Sequence, residues 1–210
     1  EVREMAGIVE DAVRAGALGF ATSKAPTHVG YAGRPVPSRA ASLSEIETLA
    51  AGLGRLGRGV VQATVGRGFF LQELAGIQRK TGRTISWTAL LTGTMGPDGH
   101  RKIMAEHEKL AAQGVRVIPQ VACRPLNFEY QWKAPFPFES MPLFQPISAA
   151  DFEGKKRIYA DPAFRAAFRA EADRAALLNG DFLGVLASDA VALNQPEGDI
   201  LPNRKRVEER

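Results

Sequence analysis

Met5, Ile8, Val9, Ala12 and Val13 recur at spacings of three and four near the start of the chain. That is the rhythm of a helix burying one face. Gly16 stands where this helix should stop, since glycine takes positive φ without a Cβ clash. Residues 18–21 then run apolar and predict a strand. Ser42-Leu43-Ser44-Glu45 is a capping box, with a serine oxygen for the exposed N–H groups and glutamate three positions on. Leu43, Ile46, Leu49, Leu53 and Leu56 line the helix it starts, and Gly57 ends it. Residues 60–65 predict a second strand, and Gly66-Arg67-Gly68 turns the chain. Phe70, Leu71, Leu74 and Ile77 mark a third helix, closed by Gly82.

A β-branched and aromatic run at 84–91 predicts a third strand, followed by a turn-rich stretch at 93–99. A fourth helix covers 101–112, with Ile103, Met104, His107, Leu110 and Ala111 inward and Gly114 as its stop. Residues 115–122 predict a fourth strand. Pro119 cannot donate to a ladder, so that strand should end early or bulge.

Strands alternating with helices predict an α/β fold with a parallel sheet. Four such units cannot close a barrel, but they make half of an eight-stranded one, so a partial TIM (β/α)8 barrel is expected. The rhythm breaks at 124–160, an aromatic and proline-rich insertion expected to be irregular and to act as a lid or an interface. Asp161-Pro162 begins another helix, with Phe164, Ala167, Phe168, Ala172, Ala175 and Ala176 running to Gly180. Residues 183–187 predict one more strand, and 194–210 read as a polar, peripheral tail.

The connection between the first strand and Ser42 is long and polar. It carries Thr22, Ser23, Lys24, His28, Tyr31, Arg34, Ser38 and Arg39. A long loop leaving a strand of an α/β sheet is a usual place for a binding site. Arg34, Arg39 and Arg124 suit a carboxylate, which a guanidinium grips with two parallel hydrogen bonds. Gln62, Trp87 and Gln120 lie on or just after strands and are expected to line the same pocket, with Ser23 and His28 beside the reacting group.

Composition narrows the classes. The 210 residues are 45% hydrophobic and 24% charged, a globular balance with a net charge of +4. Lys155-Lys156-Arg157 and Asn203-Arg204-Lys205-Arg206 are solvated clusters without an aromatic platform, so no nucleic-acid partner is expected. No apolar run approaches the length of a membrane span. The single cysteine, Cys123, excludes an internal disulfide and fits a reducing, cytoplasmic setting. It reads as a small buried hydrophobe and not as a nucleophile. The three histidines are His28, His100 and His107. His107 reads as packing and His100 as a loop residue, so the chain does not assemble a zinc site by itself.

Gly16-Ala17-Leu18-Gly19-Phe20-Ala21-Thr22-Ser23, Pro26-Thr27-His28 and Gly33-Arg34-Pro35-Val36-Pro37-Ser38-Arg39 resemble the amidohydrolases related to N-acyl-D-amino-acid deacylases. Gln120-Val121-Ala122-Cys123-Arg124-Pro125-Leu126 and Ala134-Pro135-Phe136-Pro137-Phe138 resemble the same group, as does 183–207 more loosely. The resemblance implies a metal-dependent barrel hydrolysing a non-peptide C–N bond of a small N-acyl amino-acid-like substrate. In that family zinc activates water and an aspartate moves the proton. Its His-x-His lies upstream of the matched part and its aspartate downstream. The chain is therefore expected to be the central piece of a longer barrel, inactive alone, with zinc or another divalent metal held outside it. The family also carries metal-binding histidines on the strands matching 60–65 and 84–91. Here Gln62, and Trp87 or Thr88, stand instead. The expected partners are the rest of the barrel and, through exposed strand edges, further copies. The alternative reading is a non-catalytic module that binds a carboxylate or carbohydrate.

Overall fold

The computed structural model describes residues 1–91, 98–123 and 130–177. The fold is α/β. Four parallel strands, β1 (Gly19–Ser23), β2 (Val60–Thr64), β3 (Ile85–Thr88) and β4 (Val117–Pro119), lie in the order β1-β2-β3-β4. Helices α1 (Val2–Arg14), α2 (Leu43–Leu56), α3 (Leu71–Thr81) and α4 (Gly99–Ala112) alternate with them. The order never reverses, so right-handed crossovers put every helix on one side of the sheet.

Register and side-chain alternation fix which side that is. Gln62 pairs with Ser86 and Ala63 with Trp87 across β2 and β3, while Ile85 pairs with Val117 across β3 and β4. Val61, Ala63, Ile85, Trp87 and Val117 all point into one cluster with Val13, Ile46, Leu53, Leu74, Ile77, Ile103 and Leu110 of the four helices. Each large apolar side chain buried there stabilises the fold by about 1.5–3 kcal/mol. The opposite face carries Ala21, Ser23, Gln62, Thr64, Ser86 and Thr88, none of them buried.

The helix ends follow the sequence signals. At Gly16 (φ 120°) the α1 C-terminus closes as a Schellman motif, with Gly16 N–H to Val13 O at 3.2 Å and Ala17 N–H to Ala12 O at 2.9 Å. Ser42 Oγ accepts from Glu45 N–H at 3.1 Å. Asp161 Oδ1 accepts from Ala163 N–H at 2.8 Å ahead of the proline-led helix. β4 ends early, at Pro119, although Gln120 N–H still donates to Trp87 O at 2.8 Å.

Three expectations are corrected. On α1 the buried stripe is Ala6 and Val13 with Met5 and Val9 partly covered, while Ile8 is 65% exposed. The rotated stripe places Glu10 toward α2, where Arg55 Nε and Nη2 reach its Oε2 at 3.1 and 2.5 Å. Gly52 permits that approach, since a Cβ there would stand 3.0 Å from Glu10 Cβ. On α4, Met104 and Ala111 face solvent while Ile103, His107 and Leu110 are buried. Cys123 is exposed, because the chain has left the sheet by that point.

The segment after residue 130 holds a second core. α5 (Gln145–Ala149), α6 (Phe152–Ala160) and α7 (Pro162–Leu177) gather Phe138, Phe144, Ile147 and Phe168 into a buried aromatic cluster. Much of the stretch expected to be irregular is thus helical. Tyr159 Oη donates to Trp132 O at 2.7 Å, and burial with the nearby Glu139 charge pushes its phenol pKa up. The predicted strand at 183–187 and the tail at 194–210 lie outside the described residues.

Candidate functional site

Parallel strands bring their C-terminal ends to one edge, where Ser23, Thr64, Thr88 and Gln120 stand side by side. The long loop leaves this edge from β1 and is tied down at both ends. Lys24 N–H donates to Thr64 O at 2.9 Å. Its ammonium donates to Arg39 O and Ala41 O, each at 2.6 Å. The loop folds back through a bridge between Val29 and Pro35. Its tip holds Ala32 in the left-handed region (φ 56°), a strained place for a residue with a Cβ. Gly33 follows at φ 72°, where a Cβ would stand 3.0 Å from Ser148 Oγ. The tip therefore rests on α5 of the aromatic unit.

Two polar groupings lie along this edge. The first is Ser23 with His28, whose Oγ and Nδ1 are 2.6 Å apart. Ser23 Oγ also accepts from Ala25 N–H at 3.2 Å, and keeps one proton and one lone pair with which to meet Nδ1. Where serine is the donor, the imidazole carries its proton on Nε2 and presents a donor outward. Arg39 Nη1 donates to His28 O at 3.4 Å, so one guanidinium sits beside this pair. Arg34 is on the same loop.

The second grouping crosses the open face of the sheet. Gln62 Nε2 donates to Thr88 Oγ1 at 2.8 Å, and Thr88 Oγ1 donates to Gln120 Oε1 at 2.9 Å. Gln120 Nε2 donates to Ser86 Oγ at 2.8 Å. The chain of bonds is wholly neutral and joins β2 and β3 to the residue that follows β4.

The structure thus brings Ser23, His28 and Arg39 together, and Gln62 with Gln120, as the sequence suggested. Trp87 is not part of either grouping. It alternates to the helix side, is 1% exposed, and donates from Nε1 to His107 Nε2 at 3.0 Å. Thr88, its neighbour, takes the place on the open face. Arg124 lies outside the described residues. His100, expected in a loop, is in the first turn of α4, with a buried Nδ1 lacking a partner among the described residues. His107 packs under the sheet as expected. Sequence reasoning missed Ser86, and placed Lys24 on the loop without giving it a role. The signal for Ser86 was the alternation Ile85-Ser86-Trp87-Thr88, in which one phase is entirely hydroxylated.

A zinc ion needs three or four nitrogen, sulfur or carboxylate donors converging. The open face offers amides, hydroxyls and one imidazole, and the described residues hold no cluster of three His, Cys, Asp or Glu. The described residues do not by themselves fit the metal that the resemblance implies. Comparison with known proteins finds no match among family profiles, curated proteins or solved structures.

Proposed function

We propose that this chain forms the central half of a (β/α)8-barrel amidohydrolase acting on the amide of N-acyl amino acids, D-series substrates foremost. One observation carries the reading. Four parallel strands in unbroken order bury one face under helices and keep a hydrogen-bonding face open, with Ser23, His28 and Arg39 at its C-terminal rim. Barrel enzymes bind substrate at that rim. In this reading Arg39 and Arg34 meet the substrate carboxylate, and His28 donates from Nε2 to a substrate oxygen. Any metal ligands belong to chain beyond the described residues, so no step is assigned to a metal here. Among the described residues no helix is long and apolar enough to cross a membrane. A cytoplasmic location is part of the proposal.

Purified full-length protein is incubated with N-acetyl derivatives of D- and L-amino acids, and release of the free amine is followed. Release from the D-series is expected, and Arg34→Ala should raise KM strongly with a smaller effect on kcat. No release from any N-acyl amino acid would remove the hydrolase reading. A second reading is favoured by the neutral donor set itself: a module that binds a small carboxylate or carbohydrate without turning it over.

A further inference from the structure

The neutral chain Gln62–Thr88–Gln120–Ser86 runs in one direction. Gln62 Nε2 lies 3.3 Å from Ala63 O, and a carbonyl can only accept. The Gln62 atom on that side is therefore the nitrogen. Thr88 Oγ1 accepts from it and donates to Gln120 Oε1. Gln120 turns its nitrogen toward Ser86 Oγ, which accepts. The bonds agree with one another in this direction, and the carbonyl of Ala63 fixes the first of them.

What remains open at the ends is specific. Gln62 Oε1 is an acceptor without a donor among the described residues. Among the described residues, Ser86 keeps an unused O–H donor and Gln120 Nε2 a second N–H. Gln62 and Ser86 are direct cross-strand partners, so acceptor and donors stand on neighbouring strands, about 4.8 Å apart at the backbone. Both residues are half-buried and carry no charge. Such a pair complements a group with one N–H and one C=O, and discriminates against a group that lacks the N–H.

We infer that this patch is an amide-recognition subsite, in which Gln62 Oε1 accepts the ligand N–H and the Ser86 and Gln120 donors hold its carbonyl oxygen. The inference rests on the reading that the open face lines the substrate pocket, and names the group it recognises there. A ligand in which oxygen replaces the amide nitrogen leaves Gln62 Oε1 facing a second acceptor.

The test compares binding of N-acetyl-D-leucine with its ester isostere, (R)-2-acetoxy-4-methylpentanoate. Dissociation constants come from titrating the side-chain N–H resonances of Gln62 and Gln120, with those of Gln120 used for variants at position 62. The amide should bind about tenfold more tightly than the ester, the size of one unpaired acceptor on a half-exposed face. Gln62→Met should bring the two ligands within about twofold. Ser86→Ala removes a donor with little change in volume, and should weaken both ligands alike. Equal binding of amide and ester, binding of neither, or a preference undiminished in Gln62→Met would overturn the subsite. Binding is read without turnover. Discrimination without hydrolysis removes only the hydrolase reading, and hydrolysis without discrimination removes only the subsite.

Discussion

The indole N–H of Trp87 donates to Nε2 of His107 across 3.0 Å, and the two rings lie within 5° of parallel with centroids 5.7 Å apart. Indole can only donate, so this imidazole nitrogen must be unprotonated. The other, Nδ1, lies 3.1 Å from Val117 O and must carry the proton. His107 is therefore held neutral between β3 and β4. Burial is the main cause of its lowered pKa, against which the Val117 carbonyl acts in part.

That neutrality makes stability depend on pH. Unfolded, an imidazole takes up a proton near its ordinary value of about 6.5, while in the folded chain it does so only at lower pH. The unfolded state then binds more protons as pH falls. The contribution is complete above about pH 6.5 and is lost as pH falls through the folded value. Urea unfolding at pH 7.5 and 5.5 should show the decline. His107→Phe should remove the part due to this residue and cost about 2–4 kcal/mol at pH 7.5, since it strands the Trp87 N–H and the Val117 carbonyl. An unchanged pH profile in the variant would show that other groups carry the dependence.

Two helix glycines should respond oppositely to alanine. Gly76 in α3 has nothing within 4 Å of the position a Cβ would take, so Gly76→Ala should stabilise by about 0.5–1 kcal/mol through backbone entropy. Gly54 in α2 abuts the end of α3, where a Cβ would stand 2.9 Å from Thr81 O. Backbone cannot swing aside, so Gly54→Ala should destabilise by about 1–3 kcal/mol. Denaturant midpoints at constant m-value decide both.

Lys24 holds the candidate site's longest loop in place. Its ammonium satisfies the carbonyls of Arg39 and Ala41 just before the α2 cap. Lys24→Met keeps the stem and removes both charge-assisted bonds. A loss of about 1–3 kcal/mol is expected. Amide exchange should quicken at 24–41 and not in β2 or β3. Uniform acceleration across the sheet would mean that Lys24 supports the whole fold.

Element order is readable because glycine stops and apolar periodicity act locally. Gly16, Gly57, Gly82 and Gly114 all take positive φ after the helices they are expected to close. Facing is readable only in part. Position along its strand makes Trp87 a pocket residue, yet β alternation sends it beneath the helices and sends Thr88 to the open face. The α1 stripe differs from the apolar pattern, which carries no sign that Glu10 turns toward Arg55 of α2. Neither the Lys24 latch nor the docking of Gly33 on α5 has any sequence signal, since both join residues brought near only by the folded chain.

The Ser23–His28 pair allows a direct test of the site's chemistry. Ser23 Oγ has one proton, and the Ala25 N–H already occupies one of its lone pairs. A 2.6 Å contact running from serine to His28 Nδ1 makes the neutral ring the Nε2–H tautomer, and one running the other way makes it the Nδ1–H tautomer; the first is expected. Nitrogen-15 shifts of the neutral His28 ring should report the Nε2–H tautomer almost alone. Ser23→Ala should return the ring to the mixture of tautomers seen for a solvent-exposed histidine. If the hydrolase reading holds, the same variant should raise KM more than it lowers kcat, because serine orients the donor without touching the scissile bond. A wild-type ring protonated on Nδ1 would reverse the bond, make Ser23 the acceptor, and leave His28 Nε2 as a lone pair facing the substrate.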